Sequence, residues 1–156
     1  MRTTMIARVA ACAAALLVLA CARTPNGRAS DTAAASSSGA APQSQTIVER
    51  EWTLVTLGDS AAPLGSGGKP ATMRFDSAAS RAAGFAGCNR YSAPYTIVGD
   101  SLHFGLAMST KMACMDGDTL ERAFLAIIPE VTGFQTADST LTLTGTSGAL
   151  ASFRAR

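Results

Sequence analysis

From Ile47 to Arg156, a span of 110 residues, apolar side chains fall mostly at every second position. Alternation with that period turns one face of an extended strand toward a core and the other toward water. The folded part is therefore expected to be mainly β. Strands are predicted within Ile47–Leu57 (Trp52, Leu54, Val55, Leu57), Ala71–Phe75 and Ala82–Ala86. Another is predicted over Tyr91–Val98, with Pro94 bending or ending it. In Leu102–Leu106, Leu102, Phe104 and Leu106 share one face and His103 takes the other. Val131–Thr136, Leu141–Thr144 and Ala149–Arg154 are separated by Ala137-Asp138-Ser139 and Gly145-Thr146-Ser147-Gly148. Turn-forming residues between alternating runs predict two successive hairpins.

One segment has a different period. Leu120, Phe124, Ile127 and Ile128 stand at i, i+4, i+7 and i+8, one face of a helix. Asp118 with Glu121 three positions on is a capping-box variant at its start, and Pro129 marks its end. A lone amphipathic helix in a strand-rich chain has to pack its stripe on a sheet or plug a barrel. The expected fold is mainly β (α+β), a compact antiparallel β-barrel-like or half-barrel domain with one amphipathic helix.

Nothing before Ile47 can add to that core. Ala22–Thr46 contains no large apolar residue and is rich in alanine, serine, threonine, glycine, proline and glutamine. It reads as a flexible tether, residues 21–46 when Cys21 is included. About 25 such residues span ~25–30 Å root-mean-square. Residues 1–20 read as a signal peptide. Arg2 and Arg8 precede the uncharged run Val9–Ala20, too short to cross a bilayer. Val18-Leu19-Ala20-Cys21 resembles a bacterial lipobox, with Cys21 as the lipid-attachment site, although Leu19 is bulkier than usual there. Val9-Ala10-Ala11-Cys12 is a rival that leaves a very short apolar region. Without lipidation, cleavage near Ala20 or Ala22 releases a secreted or periplasmic protein. Ala22 is not aspartate, which in a Gram-negative lipoprotein favours the outer membrane, facing the periplasm.

Charge narrows the partners. The 156-residue chain has 13 Lys+Arg against 11 Asp+Glu. Setting aside Arg2 and Arg8 leaves 11 against 11, with no basic excess of the kind nucleic-acid binders show. No nucleic-acid partner is expected. His103 is the single histidine, which excludes any mechanism that needs two.

Several motifs occur in an order that matches a known family. They are Trp52-Thr53-Leu54, Gly87-Cys88-Asn89-Arg90-Tyr91 and Met108-Ser109-Thr110-Lys111-Met112-Ala113-Cys114, then the helix with Glu121 and Phe124. Leu141-Thr142-Leu143 and Gly148 to Phe153 close the series. Residues 47–156 thus resemble a META domain, as in the HslJ-like heat-shock lipoproteins. The resemblance implies a compact antiparallel β-barrel-like fold with one helix, an envelope location and a loose link to heat or drug stress. It implies no established reaction. Members of the family have been compared in shape with secretin pilotins, which bind a partner segment; that likeness of fold argues function only weakly.

Of four cysteines, Cys12 lies in the signal segment and Cys21 is the proposed lipid site. Cys88 and Cys114 remain, and an exported compartment favours pairing them. The alternative is two separate buried thiols. A bridge would lay Asn89, Arg90 and Tyr91 beside Ser109, Thr110 and Lys111. These six residues form the candidate binding surface, against a plainer reading in which Asn89 makes a turn and Tyr91 is half-buried.

No constellation supports catalysis or a cofactor. Ser109 and Lys111 lack the Ser-x-x-Lys spacing and its companion motifs. Gly65-Ser66-Gly67-Gly68-Lys69 runs into Pro70 instead of the Ser/Thr of a phosphate loop, so a flexible loop is expected. Two cysteines and one distant histidine do not make a zinc set. Asp116 and Asp118 are too few for a calcium loop. Met108, Met112 and Met115 could form a soft binding patch, although core filling is the commoner role for methionine. The expected function is binding of an envelope protein or peptide partner by a non-enzymatic, membrane-anchored protein. The alternative is a carrier of a small apolar ligand inside the barrel, which the low aromatic content of 6% leaves open.

Overall fold

The computed structural model describes residues 46–156. The signal segment, Cys12, Cys21 and all of the tether but Thr46 lie outside the described residues. Ten strands run in chain order: β1 (Glu51–Leu57), β2 (Ser60–Ala61), β3 (Thr72–Asp76), β4 (Arg81–Phe85), β5 (Arg90–Val98), β6 (Ser101–Phe104), β7 (Met108–Ser109), β8 (Gly133–Ala137), β9 (Thr140–Gly145) and β10 (Gly148–Ala155). The α-helix α1 (Asp118–Ile127) lies between β7 and β8 and is the one complete α-helix among the described residues. Short 3₁₀ turns cover Ser66–Gly68 and Ile128–Glu130.

All the strand pairings are antiparallel, and they close on themselves. The order β10-β9-β8-β6-β5-β4-β3-β1 returns to its start because β1 also pairs with β10, Trp52 facing Ala155. The narrowest seam is β6–β8, where Ser101 opposite Gly133 is the single registered pair. Closure leaves few free edges, and the two that remain, β2 and β7, are two residues each. Short edges are one way that sheets avoid sticking to other chains.

The alternating residues point where their period requires. Trp52 and Leu54 of β1, Met73 and Phe75 of β3, Leu141 and Leu143 of β9, and Ala151 and Phe153 of β10 are all buried. Val55, on the opposite face of β1 from Trp52 and Leu54, is exposed, at a bulge where β1 slips one residue against β10. Ile47, ahead of β1, is fully buried and accepts a hydrogen bond from the Trp52 indole (Nε1 to O, 2.9 Å). Both tail hairpins form as expected.

Aromatic rings meet across the inside of the ring. Phe124 of α1 stacks edge-on against Tyr91 of β5 and Phe153 of β10, centroids 5.3 and 6.3 Å apart. Those strands sit four steps apart around the eight-strand circuit, on opposite sides. Phe75 meets Tyr95 at 5.2 Å and Phe104 at 6.1 Å. Leu120, Phe124 and Ile128 bury the helix stripe, and Ile127 packs partly against the same core.

Three local expectations are corrected. β5 runs unbroken through Pro94, because the strand changes partner there, from β4 to β6, and the Pro94 carbonyl still accepts from Gly105 N–H (2.8 Å). The strand expected to reach Leu106 stops at Phe104, so Leu106 is exposed. The capping box does not form. Gly117 holds the N-cap position in the left-handed region (φ 87°) with no side-chain cap. Asp118 instead meets Arg122 one turn on, at 3.3 Å, and Glu121 is used elsewhere.

Candidate functional site

Three loops meet beside the start of α1, and they meet backbone to backbone. Gly87, between β4 and β5, has φ 127°, where side chains are strained. Its carbonyl accepts from Ser66 N–H (2.6 Å). A Cβ on Gly117 would overlap that same carbonyl oxygen. The loops around residues 65–69, 86–89 and 110–117 can therefore approach only because glycine stands at the contact. The Gly65–Lys69 segment was expected to be flexible, but it is a defined turn, with Gly65 N–H donating to the Lys69 carbonyl at 2.8 Å.

Besides the backbone hydrogen bond from Thr110 N–H to the Arg90 carbonyl (3.0 Å), two side-chain ties hold the third loop. Cys88 and Cys114 form a disulfide, Cα atoms 5.9 Å apart. Asn89 provides the other. Its Oδ1 accepts from Met112 N–H (2.8 Å) and from the Thr110 hydroxyl (3.0 Å). Its Nδ2 donates to the Met112 carbonyl (3.3 Å) and to Glu121 Oε1 (3.2 Å), while its backbone N–H donates to Glu121 Oε2. Glu121 thus turns away from its own helix start and fastens α1 to the β4–β5 turn.

This network corrects the expected surface. Asn89 and Tyr91 are buried, 6% and 3% exposed. Asn89 spends its polar groups inward. Tyr91 lies against Phe124 with its hydroxyl on the Thr72 carbonyl (3.3 Å), and burial pushes its phenol well above the usual range. Ser109 is half-buried in β7 opposite Tyr91. Arg90, Thr110 and Lys111 remain exposed. His103 is exposed on β6, as read.

The methionines reverse the commoner expectation. Met108 and Met112 are each 68% exposed and Met115 fully so, none of them core filler. Met112 and Met115 border an open surface cleft of ≈ 1050 Å³, together with the disulfide, Lys69, Phe85 and Arg90. Asp116 is the cleft's own carboxylate, and Arg156 is occupied by Glu51 at 3.2 Å. Lys69, Arg90 and Lys111 form no ion pair among the described residues. Lys69 and the exposed methionines had no readable sequence signal as a group. Only the convergence of loops distant in sequence assembles them. No three His, Cys, Asp or Glu side chains converge on a metal-sized point among the described residues.

The Asn89 hub predicts a pH-dependent variant. Asn89→Ala leaves the Met112 amide and carbonyl without partners and should cost about 2–3 kcal/mol. Asn89→Asp sets a second carboxylate beside Glu121, and like charges raise a carboxylate pKa. The folded-state value then exceeds the unfolded one, so stability is retained at low pH and lost as pH rises through it. Thermal melts of both variants at acid and neutral pH check this. An Asp variant whose melting temperature ignores pH would place Glu121 elsewhere.

A family model described as the META domain matches residues 45–156. An NMR structure of a protein from Burkholderia xenovorans is 30% identical, with TM-score 0.60, covering 74% of this chain and 88% of that one. A second NMR structure is 16% identical, with TM-score 0.55, covering 70% of this chain and 92% of that one, and shows likeness of fold alone. No curated protein matches the sequence.

Proposed function

The chain belongs to the META domain family, and on that premise we propose that it is a lipid-anchored cell-envelope protein whose domain binds a protein or peptide partner without catalysing a reaction. Its contribution is to envelope integrity or stress tolerance. Cys21 carries the lipid, residues 22–46 hold the domain off the membrane, and an outer-membrane site facing the periplasm fits Ala22. The Cys88–Cys114 disulfide accords with an oxidising compartment.

One observation carries the binding reading. The loop tied down by the disulfide and Asn89 holds Met112 and Met115 out to water, in one cleft with Lys69 and Arg90, which form no ion pair among the described residues. Exposed apolar groups rimmed by polar ones mark interaction surfaces. Phe124 reaches across the inside of the ring to Tyr91 on one side and Phe153 on the other, which favours the surface over an internal ligand.

Cross-linking in intact cells tests the proposal. Wild-type protein should fractionate with membranes and give a discrete cross-linked neighbour. Cys21→Ser should release it from the membrane fraction. Arg90→Ala with Lys111→Ala should remove the neighbour while leaving the melting temperature unchanged. Cross-links that survive both changes would overturn the surface assigned. A small molecule co-purifying in native mass spectra, and raising the melting temperature on re-addition, would replace partner binding with the carrier reading.

A further inference from the structure

The charge of the cleft specifies its partner, and this rests on the partner-binding reading above. Lys69 comes from the loop after β2, Arg90 from the first residue of β5, and Lys111 from the braced loop. Lys69 and Arg90 line the cleft, whereas Lys111 only falls between the lining residues Thr110 and Met112 in sequence; the glycine contacts and the disulfide bring the three segments together. None has a carboxylate within ion-pair distance among the described residues. Nearby acids are already engaged: Glu121 by Asn89, Asp118 by Arg122 and Glu51 by Arg156. Within the lining, Asp116 is left against Lys69 and Arg90, neither of them ion-paired among the described residues. The exposed Met112 and Met115 line the same cleft, as does Phe85.

We infer that this cleft takes an acidic, apolar peptide segment of a protein partner: aspartate or glutamate side chains on Lys69 and Arg90, with large apolar side chains seated on Met112 and Met115. Arginine suits carboxylates because its planar fork can bind both oxygens. Methionine suits varied apolar shapes because it is unbranched and polarizable. The walls are tied by covalent and buried hydrogen bonds before any partner arrives, so little ordering of the cleft opposes binding. A concave site between three loops fits a chain segment better than the flat face of a bilayer.

The test is a selection from a random twelve-residue peptide library on the full chain, followed by fluorescence anisotropy with the peptides recovered. Selected sequences should combine Asp or Glu with large apolar residues. The double variant Lys69→Glu/Arg90→Glu should bind them about tenfold more weakly at low salt, and the loss should shrink as salt rises. Met112→Ser/Met115→Ser should weaken them as well, with no change in salt dependence. The substituted residues are on the surface, and equal melting temperatures establish that the variants fold. Basic or neutral selected peptides, equal binding by the charge-reversed variant, or an empty selection would each overturn the inference. So would co-sedimentation with phosphatidylglycerol vesicles that the same reversal abolishes, which would assign the cations to a membrane. If cellular cross-links still depend on Arg90 and Lys111 while the selection fails, the partner chemistry is wrong and partner binding stands.

Discussion

Phe124→Ala should destabilise the domain by about 3–5 kcal/mol, enough to unfold it in many backgrounds, since such domains are stable by only about 5–15 kcal/mol in total. Phe124 has no solvent exposure and touches Tyr91 and Phe153 on opposite sides of the strand ring. Truncation removes buried area, leaves a cavity, and deletes two edge-to-face contacts together. The strands are held in a closed circuit and cannot readily collapse into the space. Urea denaturation followed by the fluorescence of Trp52 measures the loss. Phe124→Leu keeps more of the volume and should cost distinctly less. An alanine variant within about 1 kcal/mol of wild type would mean that the helix packs less tightly than these contacts require.

Removal of the Cys88–Cys114 bridge should cost about 3–4 kcal/mol in the chain-entropy view, for residues 26 apart in sequence. The effect on the site should exceed the effect on the rest of the fold. With the double variant Cys88→Ser/Cys114→Ser, Asn89 becomes the remaining side-chain tie on the loop through Met112. Hydrogen exchange over residues 110–116 should then accelerate far more than exchange in β9 or β10. Combining the change with Asn89→Ala should give a loss that differs from the sum of the two, because both act on one segment. Equal melting temperatures with and without reductant, the thiols having been shown free, would remove the disulfide from the stability of this domain.

Much of the architecture was legible in local pattern. Period-two alternation located β1, β3, β4 and the β8–β9–β10 hairpins, because burial on one face is recorded in each strand's own residues. The spacing of Leu120, Phe124, Ile127 and Ile128 located α1 for the same reason. β2 and β7 were not legible, since two residues carry no period. The capping box misled because Asp118 and Glu121 have suitable spacing, yet Gly117 occupies the cap and Asn89 claims the Glu121 carboxylate. Within the site, the pairing of Cys88 with Cys114 was readable. The burial of Asn89 and Tyr91 and the exposure of Met112 and Met115 were not.

The division follows the range of the interactions. Strand, helix and cysteine chemistry depend on neighbours a few residues away or on compartment, so the chain alone points to a mainly β domain with one helix and favours a bridge between Cys88 and Cys114, which the folded structure then forms. Closure of β1 onto β10 joins residues about a hundred positions apart, and no local period encodes it. The cleft is similar: Lys69, Arg90 and Met112 become neighbours because Gly65, Gly87 and Gly117 leave no Cβ between their loops. Whether a methionine fills a core or faces a partner is decided by what packs beside it, and that is a property of the folded molecule.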